Sequence, residues 1–332
     1  MTTQTPGRAQ AQANGSAVAL ASPDRPASLR PATGDGRRFT RRAPAGDVIM
    51  AYLGTQAARL KTLDALVRRD APDSVHQMRV AARRLRSTLQ AYPAILPGSA
   101  TRHLRDELKW LGQILAEARD NEVLSEYFLA RLAALPPELV LGPAQARTRA
   151  HFAPREASAR STLLDALNSA RYYAMIAELD QLLADPPPTA AAAAPAGEVL
   201  PRAIAQTYRR TRRRMRRARR TEPGARRDTA LHETRKAAKR AGYAAEAARP
   251  ALGKKGRRFA RRMKAVQSAL GDHHDAVLAS AAAREIGVRA HLAGENAFTF
   301  GLLEARAEQE AAAYEARAQQ AWKHAKRHKL VK

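Results

Sequence analysis

Residues 75–86 read VHQMRVAARRLR, and residues 231–240 read LHETRKAAKR. In both, a histidine precedes an arginine by three positions, and further cations follow one and two turns later. At 100° per residue, His76, Arg79, Arg83 and Arg86 fall within one sector of about 80°. Met78, Leu85, Leu89 and Tyr92 fall on the other side, the pattern of a helix that buries one face and turns a row of guanidinium groups outward. Burying each of those apolar side chains contributes about 1.5–3 kcal/mol. The row gains nothing comparable from itself, because like charges three and four residues apart destabilise a helix. In the second copy, His232, Arg235 and Lys239 share a stripe, flanked by Lys236 and Arg240. Leu231, Ala237, Ala241 and Ala245 form its packing side. Asp73 and Thr229 precede the two histidines by the same three positions, and both are good N-cap residues. This spacing predicts that His76 and His232 lie in the first helical turn. There the positive end of the helix dipole favours an anion and holds a free imidazole neutral.

The duplication extends beyond the motif. KWLGQILAEARDNEVL (109–124) aligns with KAVQSALGDHHDAVLA (264–279), setting Lys109 against Lys264, Leu115 against Leu270 and Asp120 against Asp275. From about Asp47 onward, Ala, Leu, Arg and Glu dominate and the apolar residues recur every three or four positions, which predicts helix. Alternating runs of β-branched and aromatic residues, the mark of strands, are missing. The stretch DPPPTAAAAAPAG (185–197) breaks the pattern. Three prolines cannot continue a helix, and an Ala/Pro run has no large side chain to bury. The expectation is an all-α protein of two related helical bundles, residues 45–184 and 199–325, joined by a linker at 185–198. A disordered tail (1–44), rich in Ala, Gln, Gly, Pro and Ser, precedes them, and a basic tail (326–332) follows.

Composition narrows the partner. The 332 residues include 58 Lys and Arg against 31 Asp and Glu, a formal charge of +27. Charge of that size, clustered as it is here, points to a partner of opposite sign: nucleic acid, an anionic membrane or another polyanion. The absence of cysteine excludes disulfides and Cys-based zinc sites. No apolar run approaches the 20 or so residues of a membrane span, and no signal-peptide core opens the chain, so the cytoplasm is the expected location and no membrane partner is expected.

Further basic elements accompany each motif. Arg102, Arg105 and Lys109 share one helical sector in the first half, and Arg257, Arg261 and Lys264 share one in the second. YRRTRRRMRRARR (208–220) carries nine arginines between residues 209 and 220. Its position just before the second motif lets it widen the same basic wall, with Arg213 and Arg217 as the candidates. A single basic helix face is most often only solvated. Here the stripe nearly lacks acidic neighbours, occurs twice and has a companion each time, which favours a binding face.

These residues resemble the CHAD family, the α-helical domain named for its histidines. The resemblance rests on VHQMRVAARRLR, LGQILAEARDNEVL, LHETRKAAKR and VQSALGDHHDAV, and spans about residues 45–325. It implies two antiparallel four-helix bundles related by a pseudo-twofold axis, with basic helices facing a shared central groove. It also implies binding of inorganic polyphosphate without catalysis or cofactor, with association to polyphosphate granules as the expected setting. Carried over by motif position, the basic cluster falls on His76, Arg79, Arg83, Arg84, Arg86 and Lys109. In the second half it falls on His232, Arg235, Lys236, Lys239, Arg240 and Lys264. Gly242 and Tyr243 depart from the pattern, standing where the family more often continues with Leu-Arg, so the second ladder is expected to be shorter. Many relatives carry a triphosphate-tunnel domain in front, for which residues 1–45 offer no room.

The chemistry of the ladder agrees. Polyphosphate is a flexible row of close-spaced charges, and cations repeated at one helical turn on a rigid support suit it. Arginine meets phosphate oxygens through paired hydrogen bonds, and lysine adds point charge. The alternative is non-specific nucleic-acid binding, expected at low salt from charge alone. Against it, aromatics are 5% of the chain and none interleaves with the basic stripes to stack bases. A metal-dependent hydrolase reading of GDHHDAV is weakened because the aligned first half reads EARDNEV. Asp120 and Asp275 are the repeated elements, and an ion pair with Arg or Lys is their expected role.

Overall fold

The computed structural model describes residues 39–326. Among them the chain is helical throughout, and its one β-bridge joins Pro44 to Pro195. The main helices of the first half are α1 (Ala45–Arg68), α2 (Ser74–Ala91), α3 (Gly98–Ala133), α4 (Ala144–Asn168) and α5 (Ala170–Ala184). A four-residue helix, α6 (Ala190–Ala193), leads to α7 (Ala196–Arg220), α8 (Ala225–Ala247), α9 (Arg249–Leu292) and α10 (Phe298–Ala325). The expectation of an all-α fold therefore holds.

The two motif helices meet. α2 packs on α1 and α3, α8 packs on α7 and α9, and α2 also packs directly on α8. Met78, Leu85, Leu89 and Tyr92 are buried, as are Leu231, Ala237, Ala241 and Ala245. The alanines of α8 let α2 approach so closely that the Tyr92 hydroxyl donates to the carbonyl of Ala244 at 2.6 Å. The cores do not follow the boundary between the halves. The larger draws on helices from α1 to α10, centred on residues such as Leu85, Leu108, Met263 and Trp322. The smaller joins Phe128 and Leu132 of α3 and Phe152 of α4 to Ile286 of α9 and Phe300 of α10.

Two stretches differ from their reading in the sequence. Of the tail assigned to 1–44, residues 1–38 lie outside the described residues, as do 327–332 of the C-terminal tail. Residues 39–44 are held in place: Phe39 packs on the core, and Arg41 and Gly197 exchange hydrogen bonds in both directions. The stretch 185–198 is not a bare spacer. Thr189 caps α6 by accepting from the Ala192 N–H, and Ala191 and Ala192 pack against the core. A Cβ on Gly46 would stand 3.0 Å from that of Ala192. Small side chains have little area to bury, but they allow backbone to lie flat on backbone, which a count of large apolar residues does not register.

Candidate polyanion-binding site

His76 is the third residue of α2, in its first turn, and is buried. Asp73 is the N-cap, but with φ 60° and no capping hydrogen bond from its side chain. The second half differs. α8 begins at Ala225, after Gly224, so Thr229 lies inside the helix and its hydroxyl donates back to the Ala225 carbonyl at 2.8 Å. His232 is therefore beyond the reach of the helix dipole's positive end, contrary to the cap reading.

His232 is set instead against His274 of α9, with ring centroids 3.9 Å apart. Burial, with Lys236 and Arg235 beside it, pushes His232 down to about 4. Burial and the His232 ring push His274 down to about 3. Both rings are neutral near pH 7, inside a ring of cations. Gly271 makes room there, since a Cβ at that position would meet the Arg235 Nε at 3.2 Å. Asp275 is nearby, and burial raises its carboxyl to about 6 against the lowering effect of Arg235 and Lys239.

The first-half row is only partly free. Arg79 pairs with Asp120 of α3 at 2.6 Å, so the repeated aspartate does anchor a motif arginine. Arg84 pairs with Glu246 of α8 at 3.0 Å and lies over the Tyr243 ring, 5.8 Å from its centroid. The Arg83 Nε donates to the Tyr243 hydroxyl at 3.3 Å. Tyr243, the departure noted in the second ladder, thus holds the arginines of the first. Lys239 is buried rather than outward.

The densest cationic convergence lies elsewhere. Burial and the charges of Arg210, Arg86, Arg214 and Arg105 push the Arg240 guanidinium down to about 10. These five arginines come from α2, α3, α7 and α8. Arg214 is ion-paired to Glu233, which also holds Lys236 at 2.9 Å. Burial lowers Arg86 too, partly offset by Asp106. The buried Nε atoms of Arg86, Arg105 and Arg235 have no hydrogen-bond partner among the described residues. Donors so placed, and cations that suppress one another, are what an anion would relieve.

Three of the sequence candidates, Arg86, Arg105 and Arg240, are thus gathered in one cluster. His232, Arg235, Lys236 and Lys239 form a second along α8. Arg102, Lys109, Arg257 and Arg261 are exposed, and Lys264 is half-buried. Arg213 and Arg217 are exposed on α7, while Arg210 and Arg214, absent from the sequence reading, reach toward α8. A helical wheel of α7 carries the signal: Arg210 and Arg214 flank the buried stripe of Ile204, Thr207, Thr211 and Met215, and Arg213 does not. His274 was legible only as half of an unrepeated pair.

Comparison with known proteins bears on this arrangement. The CHAD domain family model matches residues 51–284. Uncharacterized proteins of Mycobacterium tuberculosis, Rv2226 in strain H37Rv and MT2285 in strain CDC 1551, are each 35% identical over 263 residues, covering 78% of this chain and 49% of theirs. The chain thus spans about half the length of these curated relatives. Among solved structures, PptA from Streptomyces chartreusis superposes with a TM-score of 0.71 at 26% identity, over 85% of this chain and 100% of that one. The CHAD domain from the plant Ricinus communis gives 0.63 at 25% identity, over 88% and 96%.

Proposed function

This chain belongs to the CHAD domain family, and from that premise we propose that it binds inorganic polyphosphate without transforming it. The observation that carries the reading is the convergence of Arg86, Arg105, Arg210, Arg214 and Arg240 from four helices, with one ion-paired carboxylate, Glu233, among them. A flexible polyanion threaded there meets arginines whose backbones are already fixed on four helices, and each can pair with phosphate oxygens. His232, Arg235 and Lys236 extend the path along α8. Duplication of the α2–α3 and α8–α9 units accounts for cations arriving from both halves, in the manner of two related bundles facing a shared groove. The expected setting is attachment to polyphosphate granules or regulation at them.

The test is a titration of long-chain polyphosphate against the protein and its Arg86→Gln/Arg240→Gln variant. Loss of two phosphate contacts should weaken binding by about tenfold or more and make its salt dependence shallower. Equal affinity in the two proteins overturns the assignment.

A further inference from the structure

Arg209, Arg213, Arg216 and Arg220 of α7 are all exposed, and none is in an ion pair among the described residues. Spacings of four, three and four residues put them in one straight row on the helix. Leu200, Ile204, Tyr208, Thr211 and Met215, buried, occupy the opposite face. Arg210 and Arg214, which act on Arg240, lie on the flank between the two. The row therefore faces away from the arginine convergence. It is about 16 Å long, and residues 199–221 contain no Asp or Glu. Like charges at these spacings disfavour the helix that carries them, so neither packing nor helix stability accounts for the row.

We propose that this outer face of α7 is a second anion-binding surface, for the phosphate backbone of duplex nucleic acid. A duplex holds its phosphates in fixed rows, so a straight row of guanidinium groups on a convex rod meets several without first ordering the ligand. A free polyphosphate chain loses conformational freedom at every contact and gains more where arginines from several helices converge. The row bears no aromatic side chain to stack unpaired bases and no apolar side chain to enter a lipid surface. Contacts to phosphate alone carry no sequence information, so binding is indifferent to base order. The inference goes beyond the polyphosphate reading and does not rest on it. With both surfaces occupied, one molecule ties polyphosphate to nucleic acid.

The experiment uses the full chain, a labelled DNA duplex and short-chain polyphosphate added at one chain per protein. The variant is Arg209→Gln/Arg213→Gln/Arg216→Gln/Arg220→Gln. Glutamine has a helix propensity close to that of arginine, and an unchanged circular dichroism spectrum and melting temperature establish that the variant is folded. Wild-type protein carrying polyphosphate should still bind the duplex. The variant should bind it about tenfold or more weakly, with a log–log salt slope shallower by roughly 3–4, and keep its polyphosphate affinity. Three results overturn the proposal: a variant that binds duplex as wild type does, displacement of duplex by stoichiometric polyphosphate, or loss of one bound polyphosphate chain in the variant. If wild type fails to take polyphosphate at all, the polyphosphate reading falls, while the duplex comparison still decides this one.

Discussion

Arg84 and Arg86 stand two residues apart on α2 and differ in what faces them. Arg84 is held by Glu246 and Tyr243, whereas Arg86 stands among Arg105, Arg240 and Asp106 and is in no ion pair among the described residues. Arg84→Gln should lower stability by about 1–2 kcal/mol, since its pair is partly buried and removing one partner strands the other. It should leave polyphosphate affinity within about twofold, checked by denaturant unfolding and by titration; a tenfold loss of affinity would place Arg84 on the ligand instead. The His232–His274 pair sets a pH dependence. Both imidazoles sit below the ordinary 6.5 in the folded chain, so the unfolded chain takes up those protons first. The unliganded fold therefore loses stability as pH falls from about 6.5 toward 4. Asp275 acts oppositely: raised to about 6, it contributes stability below its ordinary value that is lost as pH rises through 6. For an anionic ligand the signs agree, because protonating either histidine or Asp275 makes the site more positive. Affinity for polyphosphate should rise several-fold between pH 8 and pH 5, and His232→Gln/His274→Gln should flatten the profile in titrations at constant ionic strength. Periodicity makes the cationic residues legible but not their acidic partners: Glu246 and Asp120 are distant in sequence from the arginines they hold, and no spacing rule connects them.

At the scale of helices, the contact between α2 and α8 joins the two copies of the motif. Tyr92 spans it with a buried hydrogen bond to the Ala244 carbonyl, and burial raises its hydroxyl well above the ordinary tyrosine range. Tyr92→Phe removes this donor while the carbonyl keeps the Ala248 N–H, so the loss should be that of one hydrogen bond, about 0.5–1.5 kcal/mol in denaturant unfolding. An unchanged stability would mean that water takes the donor's place and that the contact is looser than it stands here. The apolar faces of both helices follow from their 3.6-residue period, which is why Met78, Leu85, Leu231 and Ala241 were legible as core. Helix starts were less so. Thr229 has the chemistry of a cap, but a hydroxyl inside a helix can also bond back to the preceding turn, and in α8 it does. On α7 the sequence singled out Arg213 and Arg217, which are exposed, and passed over Arg210 and Arg214 beside the buried stripe. Density of charge marks the helix, and only the buried stripe fixes which arginines point inward.

For the whole molecule, a formal charge of +27 opposes compaction, and the fold answers by burying apolar surface across both halves while gathering cations in several groups. One lies where α2, α3, α7 and α8 bring arginines together, a second along α8, and a third runs along the outside of α7. Bound polyanion relieves the repulsion in the first, so polyphosphate should raise the melting temperature of the wild-type protein, and the rise should shrink as salt is added. A calorimetric scan with and without polyphosphate reads this; an unmoved melting temperature at saturating ligand would argue against preferential binding to the folded state. The all-helical class was legible in the sequence, because the apolar period repeats along the chain. The joining of the halves through shared cores was not, because residues such as Phe128 and Phe300 belong to different repeats and meet only in three dimensions. The most direct measurement is a crystal structure of the protein grown with an excess of short-chain polyphosphate. Phosphates in simultaneous contact with Arg86, Arg105 and Arg240 are the expected result. A chain bound only on the outer helix faces, with those three arginines untouched, would contradict the assignment.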